Sequence, residues 1–299
     1  MRRIRHLFVF INRMPLGVNI LILLMVASCS GNDEADIDEI LANNGEVQLI
    51  TRLNRENPQD FQRGSQFFYD GNNNLTYIYL DDCSGTLFYF EYNNQNRISR
   101  RYEGTTTLSS DLFDPIAFDL DSFLASAGVL NFIYEDNRLV RMEDNDDFIR
   151  FNFLYDTNEN LITAEQFSPF VPGIWCRTTI GYTDNRISSL NEIQFASNGD
   201  EVVSNNDYTF VFDNNPNPFY NLNLSEGLVS LRTCTGYDFI TSIEGAYKIF
   251  RNNATEIRRN GEIFFTASYQ YDDNNYPVRV VYNTQNGNSS TDVITYFPN

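Results

Sequence analysis

Carboxylates dominate the reactive side chains of this 299-residue chain, which holds 40 Asp and Glu, 21 Lys and Arg, and one histidine. Two neighbouring acids can cleave a glycosidic bond, one as proton donor and the other as base or nucleophile. Asp81-Asp82 and the run Glu143-Asp144-Asn145-Asp146-Asp147 are the candidates for such a pair. Oxygen donors alternate along Asp156-Thr157-Asn158-Glu159-Asn160, as they do at the start of a calcium loop, and Glu143 to Asp147 is a second acidic cluster. Leu161, however, stands where a calcium-binding EF-hand loop needs glycine. All these runs sit in Asn-rich, turn-like sequence, where Asp is expected for backbone reasons alone. We therefore assign no catalytic residue, no metal and no cofactor. Histidine chemistry is excluded beyond residue 28, because the one histidine is His6. That removes Ser-His-Asp and Cys-His nucleophiles, imidazole bases, and the usual zinc and copper sites. Carboxylates, tyrosines, Lys248 and cysteines remain. Cys83, Cys176 and Cys234 are widely spaced with no CxxC pair, so no pairing is assigned and each is read as a buried, inert thiol.

One phrase recurs along the chain and would position these groups. Phe67–Leu75, Phe90–Ile98, Phe153–Leu161 and Tyr269–Pro277 each carry two aromatics two apart, then a burst of Asp, Asn or Gly, then an aliphatic residue or proline. Phe132–Leu139 and Ile180–Ile187 are one residue shorter, and Phe210–Asp213 and Ile249–Asn253 are looser copies. Residues two apart share a strand face. Asp, Asn and Gly tolerate the left-handed backbone that turns need. The short copies place Asp136-Asn137 and Asp184-Asn185 at the two positions of a type I′ turn. Each clear copy therefore predicts a β-hairpin. The 38 asparagines favour turns over helices. Gaps of 21 to 42 residues between copies point to repeated units that share a core with their neighbours. Residues 109–130 break the rhythm, and an acidic start with Gly128 at the end predicts a short helix there. Asn217 to Gly227 reads as a loop that packs Phe219 and Tyr220 onto the sheet, Asp36 to Ala42 as a helical turn, and Val293 to Phe297 as a closing strand.

The register Tyr92-Asn93-Asn94-Gln95-Asn96-Arg97-Ile98 resembles the Rhs/YD repeat, Tyr-Asp-x-x-Gly-Arg-Leu, with Asn96 in the glycine slot. Asn137-Arg138-Leu139 and Asn185-Arg186-Ile187 repeat its ending. Most copies lack the glycine and the period is irregular, which argues against the large toxin-enclosing shell of true Rhs proteins. With phrases such as Asn215-Pro216-Asn217-Pro218-Phe219-Tyr220, residues 60–299 are similar to secreted Bacteroidota lipoproteins of unknown function with degenerate YD-like repeats.

The amino end resembles a bacterial lipoprotein signal. Arg2, Arg3, Arg5 and Arg13 precede an apolar run from Leu16 to Ala27, which is too short to span a bilayer and ends in Ala27-Ser28-Cys29. The resemblance implies acylation of Cys29 and, through more than one chain, stable anchoring. Ser30 to Asp36 is then an acidic tether similar to export signals of surface lipoproteins. The domain plan is signal peptide 1–28, tether 29–45 and repeat β-domain 46–299. Four of the 21 basic residues and none of the 40 acidic ones precede Cys29, which leaves −23 on the chain from there onward. A chain so acidic repels phosphate backbones, so nucleic acid is no partner. The fold expected is all-β: an antiparallel meander of repeated β-hairpins, curled or partly barrel-like, with a short helical insertion. The function expected is a noncatalytic binding or structural surface protein on the outer membrane, with a glycan, lipid or protein ligand. A carboxylate-dependent glycan hydrolase and a lipid-binding periplasmic module are the alternatives.

Overall fold

The computed structural model describes residues 48–56, 64–80, 85–106, 113–168, 171–184, 186–196, 201–220, 250–285, 287 and 289–297. Cys29, the tether, the turn expected at 36–42, Asp81-Asp82, Cys83, Cys234 and Lys248 lie outside the described residues. Sixteen antiparallel strands close into one barrel. In chain order they are β1 (Ile50–Glu56), β2 (Gly64–Tyr69), β3 (Leu75–Leu80), β4 (Thr86–Tyr92), β5 (Ile98–Thr105), β6 (Gly128–Glu135), β7 (Arg138–Glu143) and β8 (Ile149–Tyr155). The second half comprises β9 (Leu161–Ser168), β10 (Val171–Thr183), β11 (Arg186–Phe195), β12 (Val202–Pro216), β13 (Asn252–Arg259), β14 (Glu262–Tyr271), β15 (Pro277–Thr284) and β16 (Ser289–Tyr296). Each strand pairs with its sequence neighbours, and β16 pairs with β1 to close the ring. Closure leaves no full-length edge strand, the chief aggregation hazard of an open sheet.

The side-chain period of two sends alternate residues inward. Phe67, Phe90, Phe132, Phe151, Phe153, Ile180, Leu190, Ile257, Phe265, Val280 and Ile294 fill the lumen and are buried. Burying side chains of this kind contributes about 1.5–3 kcal/mol each. The intervening residues face out and form ion pairs: Arg279 with Glu56 and Arg177 with Glu165 between strands, Arg150 with Asp144 between β8 and its turn, and Arg141 with Glu143 along β7. Arg258 with Glu256 and Arg100 with Glu91 belong to the same outer surface.

The predicted turns follow one chemistry. In Asp70–Asn74 the Asp70 carboxylate accepts the amides of Asn72 and Asn74, and Asn73 adopts φ 64°. Asn93, Asp156 and Asp272 repeat the pattern, with Asn96, Glu159 and Asn275 in left-handed backbone. The short copies turn on Asp136 and Asn137, both at positive φ, and on Asp184. A further tight turn, Asn260-Gly261 at φ 53° and 85°, joins β13 to β14. The Asn-Gly pair is among the strongest hairpin signals in sequence, and it escaped the aromatic phrase used to find the others.

The insertion between β5 and β6 holds the expected helix, α1 (Leu120–Leu124), capped by the Asp119 carboxylate. Phe113, Phe118 and Phe123 lie over the outer faces of β3 to β5, against Tyr77, Tyr79, Tyr89 and Tyr102. Gly104 permits this approach, since a Cβ there would stand 2.7 Å from the Phe123 ring.

One of the looser copies needs correction. Ile249–Asn253 is not a separate hairpin, because Asn252 opens β13 and pairs with Pro216 at the end of β12. Phe250 packs 4.8 Å from Phe210 and 5.1 Å from Phe212, so the two loose phrases are the two legs of one unit.

Candidate functional site: the tyrosine-clasped rim

The aspartate and asparagine turns after β2, β4, β6, β8, β10 and β14 gather at one rim of the barrel, where β1 also begins. Between successive hairpins lie eight seams: β1/β2, β3/β4, β5/β6, β7/β8, β9/β10, β11/β12, β13/β14 and β15/β16. In every seam the ladder stops short of this rim. The last β3/β4 pair is Tyr77 with Tyr89, although the strands run on to Leu75 and Tyr92. The β9/β10 pair is Thr163 with Thr179, short of Leu161 and Tyr182. The β11/β12 pair is Ser189 with Thr209, short of Ile187 and Phe212. The splay leaves a carbonyl near the start of the strand beyond the last cross-seam pair.

A tyrosine hydroxyl reaches that carbonyl. Tyr92 Oη donates to the Leu75 carbonyl at 2.8 Å, Tyr134 to Ile98 at 3.0 Å, Tyr155 to Leu139 at 2.9 Å and Tyr182 to Leu161 at 3.0 Å. Tyr69 donates to Ile50, Tyr269 to Ala254 and Tyr296 to Pro277, each at 2.8 Å. Seven seams are clasped in this way. Burial pushes the hydroxyls of Tyr69, Tyr92, Tyr269 and Tyr296 well above their ordinary pKa. Burial, followed by the Asp156 charge, pushes Tyr182 up to about 12.

In two units the arginine of the repeat ties one turn to the next. Arg97 donates to the Asn137 carbonyl at 2.7 Å and lies over the Tyr134 ring. Arg138 lies over Tyr155 and pairs with Glu159. The phrase thus reads as a linkage: tyrosine back to the previous unit, arginine forward to the following one.

The β11/β12 seam departs from the rule, because Phe212 occupies the tyrosine position and carries no hydroxyl. Asparagines brace the neighbouring unit instead. Asn217 donates to the Phe250 carbonyl at 2.9 Å and accepts the Phe219 amide at 3.0 Å. Asn253 donates to the carbonyls of Asn215 and Pro216. This turn delivers Phe219 into the core, 1% exposed and 6.3 Å from Phe67 on β2 across the barrel. The expected packing of Phe219 onto the sheet is therefore met from inside the ring.

Among the described residues the candidate acids do not assemble a pocket. Asp144 accepts the amides of Asp146 and Phe148 and pairs with Arg150, and Glu143 pairs with Arg141. Asp156 spends its oxygens on Asn158 and Asn160, and the Asn160 amide is the main reason its carboxyl is held below the usual range. At Asp70 burial pulls the other way, but hydrogen bonds from Asn74 and Asn72 outweigh it and the pKa falls. No group of three or more metal-type ligands occurs among the described residues.

Two buried carboxylates escaped sequence reasoning, Glu192 on β11 and Asp292 on β16. The only signal was an acid at an inward strand position. Tyr282 donates to Asp292 at 3.2 Å, and the Glu192 charge, after burial, helps push Tyr208 up to about 12. Cys176 also corrects the sequence reading. It is buried and disulfide-bonded, whereas an inert thiol was expected.

No family model matches this chain, and no curated protein matches it. Among solved structures it is similar to a porin-like protein from Bacteroides uniformis, at 14% identity and TM-score 0.50 over 82% of this chain and 96% of that one. A TcdB2-TccC3-Cdc42 structure matches 77% of this chain at 12% identity and TM-score 0.30, and this chain spans 10% of its length. The Photorhabdus luminescens Tc holotoxin pore matches 76% of this chain at 11% identity and TM-score 0.28, over 9% of that chain. The first likeness supports the barrel fold.

Proposed function

We propose that this protein is a noncatalytic binding or structural protein of the outer-membrane surface, held there by acyl chains on Cys29 with its barrel outside the bilayer. The supporting observation is the polarity of the wall. A barrel that spans a membrane turns an apolar band outward and a polar surface inward. Here Arg100, Arg177, Arg258 and Arg279 and their acidic partners lie on the outer surface, while phenylalanines fill much of the lumen. An outward Arg at mid-bilayer would cost about 2–4 kcal/mol, and the wall carries several. Phe219 set across the lumen speaks against a through-channel, although the similar Bacteroides protein is called porin-like. The hydrolase reading loses support because the described candidate acids serve turns and ion pairs. The carrier reading loses it because three phenylalanine rings occupy the space beneath the 113–127 insertion. Membrane fractionation of cells expressing wild type and Cys29→Ala tests the anchor. We expect the wild type in the outer-membrane fraction and the variant released or unprocessed. Equal retention of both after a carbonate wash overturns the reading.

A further inference from the structure

We propose that the free edge of β12 at residues 202–207 takes up an extended peptide with basic ends by β-strand addition. The inference rests on the surface-binding reading above and names its partner class. β12 pairs with β11 from Val202 to Thr209, and the Ala196 amide donates to the Glu201 carbonyl at 2.7 Å where the two strands join. On its other side β12 meets β13 only from Tyr208 onward, because β13 turns back at Asn260-Gly261. Asn260 just reaches Asp207. Its amide donates to the Asp207 carbonyl at 2.7 Å, and its side-chain oxygen accepts the Asp207 amide at 2.8 Å. Backbone groups alternate between the two sides of a strand, so Asn205 presents its own amide and carbonyl to the side of β13. No described residue pairs with them there.

The edge is bare as well as unpaired. Val202 and Val203 are 52% and 61% exposed, and Glu201, Asn205 and Asp207 are exposed too. Proteins commonly guard such an edge with lysine or proline, and residues 201–207 contain neither. Asn205 and Asp207 share the outer face with Asn191, whose side-chain amide donates to them at 2.8 and 2.7 Å. Along the edge the order is acid, two valines, asparagine and acid. An added strand fits with an aliphatic residue beside the valines and Lys or Arg beside Glu201 and Asp207. A second copy of this chain is the poorer occupant. Antiparallel self-pairing about Ser204 would set Asp207 against Glu201, and each chain carries a formal charge of −19.

Hydrogen–deuterium exchange on purified full-length protein reads the edge directly. The probe is a synthetic peptide of alternating Thr and Val between terminal Lys residues, and its affinity is measured by fluorescence anisotropy. We expect the Asn205 amide to exchange freely in the protein alone and to be protected once the peptide is added. A peptide with Glu ends, and one with Pro at its centre, should bind about tenfold more weakly or worse. Asn205→Pro deletes the amide on the free side, leaves the ladder to β11 in place and should abolish binding. Val203→Lys guards the edge without touching the backbone and should do the same. Asp207→Asn should weaken binding about fivefold at most, the worth of an exposed ion pair. Protection of Asn205 without peptide overturns the proposal, as does equal affinity for wild type and both edge variants. Failure of all three peptides to bind overturns it too. Concentration-dependent dimers that Asn205→Pro abolishes would make a second copy the occupant and overturn it likewise. The surface-binding reading fails separately, on the Cys29 fractionation.

Discussion

The β3/β4 and β11/β12 seams start from the same backbone geometry and are finished by different chemistry. In the first, Tyr92 closes the split over Leu75. In the second, Phe212 turns its ring to Phe210 and Phe250, and asparagine amides brace the unit on its other side. A clasp is thus worth about one hydrogen bond and can be given up where a neighbouring unit gains buried apolar surface. The regular arc spends its hydroxyls on linking units in series. The irregular unit contributes a side chain, Phe219, that reaches across the barrel.

The largest effect should come from that side chain. Phe219→Ala is expected to lower stability by about 3–5 kcal/mol in urea unfolding, equal to Phe90→Ala in the regular arc, because both rings are almost fully buried. A loss below about 1 kcal/mol would show that the irregular unit adds nothing to the core. Next, Tyr92→Phe leaves the Leu75 carbonyl without its donor and should cost about 1–3 kcal/mol. Phe212→Tyr should cost nothing, and equal losses from both would erase the contrast between the seams.

Alkaline titration sharpens the same comparison. The raised pKa of a buried tyrosine favours the folded, protonated form, so its contribution is complete below the ordinary value of 10 and is lost as pH rises through the folded value, about 12 for Tyr182 and Tyr208. Tyrosinate absorbance should lag behind that of free tyrosine and then rise together with loss of the β-sheet signal. Simple titration at pH 10 with the fold intact would show the clasps to be open in solution. The smallest effect is expected on the outer wall. Arg258→Ala removes a partly exposed pair with Glu256 and should change stability by no more than about 1 kcal/mol.

Much of the hairpin plan was legible because turn chemistry is local. Asp70, Asn93, Asp156 and Asp272 bond amides two and four residues ahead, so composition within a short window is enough to place the turn. The same locality explains why Asp156 and Glu143–Asp147 are better read as turn residues than as ligands. The unit around Phe212 was harder to read. Its two legs, Phe210–Asp213 and Asn252–Asn253, are far apart in sequence, and each mimics a weak hairpin when seen alone. The disulfide at Cys176 was invisible for a related reason, since cysteine spacing carries no distance.

Sequence alone determined the strand-turn-strand rhythm, the left-handed turn residues, the absence of histidine chemistry beyond residue 28 and the strong negative charge. Those properties depend on residue type and on neighbours a few positions away. Tertiary structure decided that sixteen strands close on themselves, which aromatics fill the inside and which lie with the ion pairs on the outside, and which carbonyl each tyrosine reaches. Both aromatic-bearing faces read alike in one dimension, and only curvature distinguishes a lumen from an outer wall. Closure joins β1 to β16 across more than 200 residues, a pairing with no local signal, and it alone makes one unclasped seam stand apart from seven clasped ones.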